Sequence, residues 1–353
     1  MTPVDASRAE AFISAVQAGL AATATTVMTH LGDRLGLYRA LAQGPATPGE
    51  LGSRTGCAER YLREWLAQQT AAGVLDHDPT TGRFSLPAEH APALGCGPTD
   101  ASFMGGFAVL TALAGETDRL ADEFRSARGI PWGEHGPTLH QGVAEFFGAA
   151  YERSLISEWI PALGVENALA HGARVVDVGC GQGVTTVLLA DAFPRSTFVG
   201  IDSHEASLAA ARQRAVEAGV AERVSFELTN TSALPDGPFD LIWFFDVLHD
   251  LGDPVTAAAA SRERLAEGGI VAVVEPFAVD PPEANIRENP AALLHYTAST
   301  FMCVPHSMSE PGQATLGAQG GPAGITDVLH EAGFANVQQV TSTPLHAVYA
   351  ARV

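Results

Sequence analysis

Residues 175–183, VVDVGCGQG, give the clearest indication of the fold, because an apolar strand pattern runs directly into a loop with three glycines. Gly179, Gly181 and Gly183 let the backbone turn tightly and approach a ligand without interference from a Cβ atom. The dinucleotide fingerprint GxGxxG would need a small residue at position 184, where this chain has Val184. The spacing is therefore GxGxG, and it predicts a strand, a ligand-binding loop and a helix in succession.

Downstream of this loop, strand and helix patterns alternate. STFVGID at 196–202 and IVAVVEP at 270–276 have the composition of buried strands, and SLAAARQRAVEAG at 207–219 has that of a helix. PVTAAAASRERLAEGG at 254–269 predicts a helix that ends at a glycine. Apolar strands separated by helices predict a mostly parallel sheet covered on both faces, that is, a doubly wound, Rossmann-like α/β domain over residues 141–353.

The N-terminal part has a mostly helical pattern. Apolar residues recur at helical intervals over residues 7–43, and Thr47 and Glu50 have the spacing of a capping box that opens the next helix. A further helix is predicted over 58–73, and a hairpin over 74–86. Helix, helix and β-wing together predict a winged helix.

Length and charge narrow the class of protein. The 353 residues suffice for about two domains, which we expect at 1–140 and 141–353. Forty acidic and 20 basic residues give a formal net charge of -20, which disfavours nucleic acid and anionic membranes as partners. All the basic residues are arginine, so chemistry that needs a lysine amine, such as Schiff-base and P-loop chemistry, is excluded.

The spacing of the cysteines and the first residues of the chain indicate the cellular compartment of the protein. Cys57, Cys96, Cys180 and Cys303 are scattered and form no CxxC pair, which indicates neither a disulfide framework nor a zinc finger. The first residues, MTPVDASRAEAF, lack the apolar core of a secretory signal. We therefore expect a soluble cytoplasmic protein.

The glycine loop and the acid before it, Asp177, resemble the first motif of class I S-adenosylmethionine (SAM)-dependent methyltransferases. The resemblance implies that SAM is the cofactor and S-adenosylhomocysteine (SAH) the product. It assigns Asp177 and the three glycines to cofactor binding and Asn230 and Thr231 to the surroundings of the adenine. Asp202, at the end of the second predicted strand, is expected to accept hydrogen bonds from the ribose hydroxyls.

The segment WFFDVLHDLGDP at 243–254 resembles, more specifically, small-molecule O-methyltransferases that also carry an N-terminal winged helix. That resemblance implies that His249 is the general base, a role suited to an imidazole with a pKa near 6.5. Glu275 matches a glutamate that flanks the base, and Phe245 and Asp246 match residues that border SAM.

This chain differs from those O-methyltransferases at one catalytic position. About thirteen residues before the AGF at 332–334, those enzymes have a second glutamate, whereas this chain has Gln319. An amide could orient the base but could not share its proton. The phrases HDLGDP, VEPFAVD, LGAQGG and TPLHAVYAARV resemble a bacterial group of winged-helix methyltransferases from about residue 30 onward.

An insert at about 279–318 is expected to form a lid over the acceptor. His295, Cys303 and His306 fall within it and are predicted to contact the substrate. Cys303 and His306 also have the C-x-x-H spacing of a metal pair. Since no paired carboxylate accompanies them, we expect substrate contacts and no metal site.

The sequence thus predicts a methyltransferase (EC 2.1.1.-) that acts on a small molecule, a neutral or phenolic secondary metabolite, as a homodimer joined by its N-terminal helices. Three alternatives remain open. They are a SAM-binding enzyme that does not methylate, a metal-assisted C-methyltransferase of a 2-oxo acid, and a SAM-responsive DNA-binding regulator.

Overall fold

The computed structural model describes residues 4–98 and 101–353. Their contacts divide them into two units. The helical unit comprises the described residues up to Gly115 and Gln141–Ala149, and the α/β unit comprises Glu116–His140 and Ala150–Val353. The sequence-based boundary at residue 140 assigned the segment 116–140 to the N-terminal domain, and the functional division into domains stays a prediction.

The helical unit consists of short helices and a small hairpin around its own core. Its elements are α1 Ala6–Arg34, α2 Leu37–Ala42, α3 Pro48–Thr55, α4 Glu59–Ala71, β1 Asp76–Asp78, β2 Arg83–Ser85 and α5 Met104–Gly115. The predicted capping box is confirmed, since Thr47 Oγ1 accepts from the Glu50 backbone N–H and Glu50 Oε2 accepts from the Thr47 N–H. Trp65 packs in the core and donates from Nε1 to the Met28 carbonyl at 2.9 Å, which ties α4 to α1.

Helix α1 is unusual in its exposure. By length and composition, Ala6–Arg34 could cross a membrane, and none of its most apolar stretch is buried. Phe12 and Leu20 are 70% and 67% exposed. An exposed apolar face of this length is unusual for a protein in water.

The α/β unit contains the remaining elements. Before the sheet come α6 Thr117–Ser126, α7 Pro137–Ser154, α8 Ile160–Leu163 and α9 Glu166–His171; α7 also contributes to the helical unit. The alternating part comprises β3 Arg174–Val178, α10 Val184–Ala192, β4 Thr197–Asp202, α11 Glu205–Glu217, β5 Val224–Leu228, β6 Phe239–Phe245, α12 Pro254–Glu263 and β7 Leu265–Pro276. The chain closes with α13 Pro282–Glu288, α14 Ala292–Ala298, α15 Val304–Ser309, α16 Gly321–Glu331, β8 Asn336–Ser342 and β9 His346–Arg352.

The seven strands of the α/β unit form one sheet in the order β5-β4-β3-β6-β7-β9-β8. The first five are parallel, while β9 pairs antiparallel with both β7 and β8. This confirms the predicted mostly parallel, Rossmann-like sheet, which follows the winged helix in the sequence. The carboxyl ends of the parallel strands meet at one edge, where such folds bind ligands.

One predicted element ends earlier than expected. The helix predicted over 254–269 stops at Glu263, and β7 begins at Leu265, which pairs with Phe239 of β6. Pairing along β6 therefore outweighs the helical propensity of the RLAEGG segment. The first five residues of β7 are exposed or half-buried, and the strand is buried from Ile270 to Pro276.

Glycines in α1 provide a test of the α1–α4 packing. A Cβ on Gly32 would lie 2.4 Å from Trp65 Cζ2, whereas a Cβ on Gly19 would meet nothing within 4 Å. Gly32→Ala should lower the free energy of unfolding of the helical unit by about 1–3 kcal/mol through overpacking. Gly19→Ala should raise it by roughly 0.5–1 kcal/mol through helix propensity. Urea unfolding of both variants checks this, and equal stabilisation would contradict the packing of Trp65 on α1.

Candidate active site

The glycine loop joins β3 to α10 at the carboxyl edge of the sheet. Gly179, Gly181 and Gly183 all have positive φ, at 71°, 52° and 70°. A Cβ on Gly179 would lie 2.6 Å from a methyl of Val247, and one on Gly183 would lie 2.8 Å from Ala211. A Cβ on Gly181 would meet nothing within 4 Å. The loop is therefore packed at both ends and open in its middle, where its backbone is available to a ligand.

Asp177 lies in β3 beneath this loop. Its Oδ2 accepts hydrogen bonds from the hydroxyls of Thr185 and Thr186, at 2.7 and 2.5 Å, which fixes the start of α10 against the strand. Burial raises the pKa of the Asp177 carboxyl to about 6. Its Oδ1 is buried without a hydrogen-bond partner among the described residues.

Asp202, at the end of β4, bonds to the glycine loop, and its ribose role stays a prediction. Its Oδ2 accepts from the Gly181 N–H and its Oδ1 from the His204 N–H, both at 2.8 Å. Burial raises its pKa. Asn230 is exposed, and its Oδ1 accepts from the backbone and hydroxyl of Ser232 in a local turn. Thr231 lies in the same turn, so the adenine role of these two residues stays a prediction.

The segment that carries Trp132 and His140 lies beside His204, whose backbone N–H bonds to Asp202. The ring of His140 is 4.6 Å from that of His204 and 4.9 Å from that of Trp132, measured between centroids. His140 Nε2 donates to the Trp132 carbonyl at 2.9 Å, and burial lowers the pKa of His140. The segment thus adds aromatic rings, among them a neutral His140, next to the loop that carries Asp202.

At the end of β6, Asp246 has a φ of 54°, and its side chain is 9% exposed. Its Oδ2 accepts hydrogen bonds from Tyr151 Oη at 2.5 Å and His346 Nε2 at 3.0 Å. Burial acts to raise the pKa of Asp246, but the neighbouring His346 outweighs it and the pKa is lowered. Oδ1 is buried without a hydrogen-bond partner in the described chain. Phe245 precedes it and stacks on Trp243, with centroids 4.6 Å apart.

The predicted base and its flanking glutamate come together. His249 Nδ1 donates to Glu275 Oε2, while Glu275 Oε1 accepts from the Leu248 N–H at 3.0 Å. His249 and Glu275 are only 4% and 2% exposed. His249 Nε2 lies 3.0 Å from Oδ1 of Asp250, the aspartate that follows it directly in the WFFDVLHDLGDP segment.

Both imidazole nitrogens of His249 therefore face carboxylates. Burial acts to lower its pKa, but the charges of Asp250 and Glu275 outweigh this and raise the pKa well above 6.5. The ring is consequently protonated at neutral pH in this arrangement. It can act as a base only after it loses that proton.

In the described residues the hydrogen bonds of the Gln319 side chain go to groups other than His249. Its Oε1 accepts from Asn285 Nδ2 at 2.7 Å and Asn289 Nδ2 at 3.2 Å, and its Nε2 lies 3.2 Å from His295 Nδ1. Burial lowers the pKa of His295 to about 4, so this cluster is uncharged at neutral pH. Where the resembling enzymes carry a second glutamate, this chain has a neutral, internally bonded group, and a catalytic role for Gln319 stays a prediction.

The other predicted substrate residues lie in different places. His249, Asp250 and Cys303 each offer a ligand atom, these atoms lie within 4.8 Å of one another, and donors of these types could hold a metal ion. Burial raises the pKa of Cys303 to about 12, so the thiol keeps its proton. His306 Nδ1 accepts from the Trp132 N–H at 3.2 Å. His295 belongs to the amide cluster, and the substrate contacts of these three residues stay a prediction.

Comparisons with known proteins agree with this geometry. Residues 169–328 match a family model described as a methyltransferase domain, and residues 23–95 match an Rv2258c-like winged helix-turn-helix domain. The chain carries a methyltransferase domain behind a winged helix-turn-helix domain. The glycine loop, Asp202, His249 and Glu275 all lie within the methyltransferase domain.

Among curated relatives, 27-O-demethylrifamycin SV methyltransferase of Amycolatopsis mediterranei is 31% identical over 44% of this chain and 59% of its own length. Trans-aconitate 2-methyltransferase of Variovorax paradoxus is 37% identical over 35% of this chain and 46% of its own. The chain thus spans less than two thirds of the curated relatives it matches.

Solved structures resemble this chain over nearly its whole length. Mitomycin 7-O-methyltransferase MmcR has a TM-score of 0.72 at 18% identity, covering 99% of this chain and 100% of its own. Human N-acetylserotonin methyltransferase, solved with SAM, has a TM-score of 0.70 at 17% identity, covering 100% and 99%. These similarities show the fold.

The charge environment of His249 can be tested directly. Asp250→Asn removes one of the two carboxylates that raise the His249 pKa, so the imidazole should titrate at lower pH than in the wild type. NMR titration of the labelled His249 ring measures this. Asp253→Asn, an exposed N-cap substitution on α12, should leave the midpoint unchanged. Identical midpoints for wild type and Asp250→Asn would refute the ion pair.

Proposed function

We propose that this protein is a SAM-dependent methyltransferase that acts on a small-molecule acceptor. The observation that carries the proposal is the order of groups along the sheet edge. Asp202 lies on β4, the glycine loop follows β3, and His249 is held by Glu275 of β7 on the other side of β6. The proposed cofactor-binding loop thus follows β3, and the proposed base follows the neighbouring strand β6.

The residues present fit SAM. Gly181 is open on its ligand side, and Asp202 is fixed by backbone amides while its carboxylate oxygens keep lone pairs for the ribose hydroxyls. Asp177 offers a buried oxygen without a protein donor, which suits an ammonium group. When bound, SAM supplies an electrophilic methyl group on a positively charged sulfur.

The chain's own residues would position the acceptor and remove its proton. Glu275 holds Nδ1 of His249, so Nε2, which faces Asp250, would be the nitrogen that takes a proton from an acceptor after it has lost its own. Because Asp250 and Glu275 raise the His249 pKa, the neutral base becomes more abundant as pH rises. Positioning and exclusion of water by the segment 279–318 would supply the rest of the rate enhancement.

The acceptor is proposed to be a neutral or phenolic secondary metabolite. Support comes from relatives named for rifamycin and mitomycin methylation and from the charge of the site. Its buried or partly buried carboxylates face histidines, hydroxyls and backbone amides in the described residues, and no arginine bonds to them. An anionic acceptor such as a 2-oxo acid would meet these carboxylates with no arginine bonded among them to offset the repulsion.

The alternatives are less well supported. The neutral cluster around Gln319 motivates a non-methylating reaction, but the His249–Glu275 pair keeps the base in place without it. On the winged helix, Arg60 pairs with Glu64 at 2.6 Å and Arg63 with Glu59 at 2.5 Å, so α4 presents no excess of positive charge to DNA.

Calorimetric titration with SAH tests the cofactor site. The wild type should bind SAH with micromolar affinity, and Asp202→Ala should lose that binding because the ribose hydroxyls lose their acceptor. Asp236→Ala is the matched control, since that carboxylate is fully exposed at a loop. A wild type that does not bind SAH would end the methyltransferase proposal.

We further propose that the protein is a cytoplasmic homodimer assembled through its N-terminal helices. The exposed apolar side chains of α1 support this, since a second copy would cover a face that water otherwise contacts. The four cysteines are free, in keeping with a reducing compartment.

Light scattering coupled to size exclusion tests the dimer. The wild type should have twice the mass of the 36.7 kDa chain, and a Phe12→Asp, Leu20→Asp double variant should be monomeric because charge replaces the apolar contact. Glu10→Asp, on the same helix, should remain dimeric. A monomeric wild type would refute the proposal, and recovery only in detergent would indicate that α1 binds a membrane.

A further inference from the structure

Asp246 lies between the two functional halves of the sheet edge. Its strand, β6, is hydrogen-bonded to β3, which leads into the glycine loop, and to β7, which carries Glu275. Its neighbour Val247 contacts the position of Gly179 closely enough that a Cβ there would clash. His249 follows three residues later. Asp246 thus ends the strand between β3 and β7, next to a residue packed on the cofactor loop and three residues before the base.

The Asp246 side chain is held in one orientation at some cost. A non-glycine residue at a φ of 54° is uncommon, and a carboxylate that is 9% exposed is costly unless its charge is balanced. Tyr151 and His346 both bond to Oδ2. Oδ1 is left without a hydrogen-bond donor among the described residues, and the lowered pKa of Asp246 keeps the group ionised.

The cofactor proposed above carries two cationic groups, and they differ in what they need. An ammonium donates hydrogen bonds, and Asp177 already offers it an oxygen at the start of the loop. A sulfonium has no N–H to donate, so a protein can recognise it only by charge and by weak C–H···O contacts. A fixed, desolvated carboxylate on the path to the base meets that need.

We propose that the Asp246 carboxylate is a specificity residue that interacts with the positive charge of the cofactor's sulfonium, so that the site retains SAM and releases SAH. The inference rests on the proposed function. SAH lacks both the methyl group and the charge, so the electrostatic attraction to Asp246 is lost with the product. Tyr151 and His346 act as positioning residues that hold Oδ2 and aim Oδ1 at the ligand.

Separate titrations of the wild type with SAM and with SAH give the first readout, and they need no acceptor. The wild type should bind SAM more tightly than SAH. Asp246→Asn keeps the size of the side chain and removes its charge, so it should weaken SAM binding by about tenfold and SAH binding by less than about threefold. The ratio of the two dissociation constants should therefore collapse towards one.

Two controls separate charge recognition from general damage. Asp202→Asn should weaken both ligands by a similar factor, because the ribose is common to SAM and SAH. Tyr151→Phe removes one hydrogen bond to Oδ2 but keeps the charge, so it should retain the preference for SAM. The melting temperature of each variant reports whether the fold is intact.

Each outcome of the SAM and SAH titrations supports or contradicts the role proposed for Asp246. An equal loss of both ligands in Asp246→Asn would assign Asp246 to a shared part of the cofactor and overturn it, as would no change. If Asp246→Asn does not fold, a wild type that binds SAH as tightly as SAM still contradicts the inference. A wild type that binds SAH but shows no preference leaves the methyltransferase proposal standing, whereas binding of neither ligand removes both.

Discussion

The site depends on five buried or partly buried carboxylates at one edge of the sheet, whose negative charge must be offset. They are Asp177, Asp202, Asp246, Asp250 and Glu275. Each would be costly to bury as an uncompensated charge, and the chain offsets each differently. Two threonine hydroxyls bond to Asp177, and two backbone amides bond to Asp202. His346 and Tyr151 bond to Asp246. His249 lies between Asp250 and Glu275. The remaining negative charge suits a cationic ligand.

The parallel sheet explains why these groups converge. Strands β3, β4, β6 and β7 all run in the same direction, so residues that leave their carboxyl ends meet although they are far apart in sequence. The glycine loop crosses this edge and is fixed by Asp202 on one side and by contact with Val247 on the other. Substitution at Gly179 would therefore disturb both the loop and the strand that carries the base.

Local patterns were sufficient to predict the sheet, the capping box of α3 and the glycine loop, and the family resemblance implied that Glu275 flanks His249. Neither could predict contacts that depend on distant chain segments. Tyr151 and His346 reach Asp246 across 95 and 100 residues, and the phrase TPLHAVYAARV that contains His346 does not indicate its partner. The surroundings of Gln319 were missed for the same reason, since its partners come from the helices α13 and α14 and the chain just beyond α13. The early end of α12 reflects strand pairing that a helical propensity does not register.

A crystal structure of the protein with SAH tests the central claim, that the sheet edge is a cofactor site leading to a base. The ribose should bond to Asp202, the backbone at Gly181 should contact the ligand, and the thioether sulfur should lie on the Asp246 side facing His249. SAH bound elsewhere, or bound with its sulfur turned away from His249, would contradict the claim, because no methyl group placed there could reach an acceptor at the base.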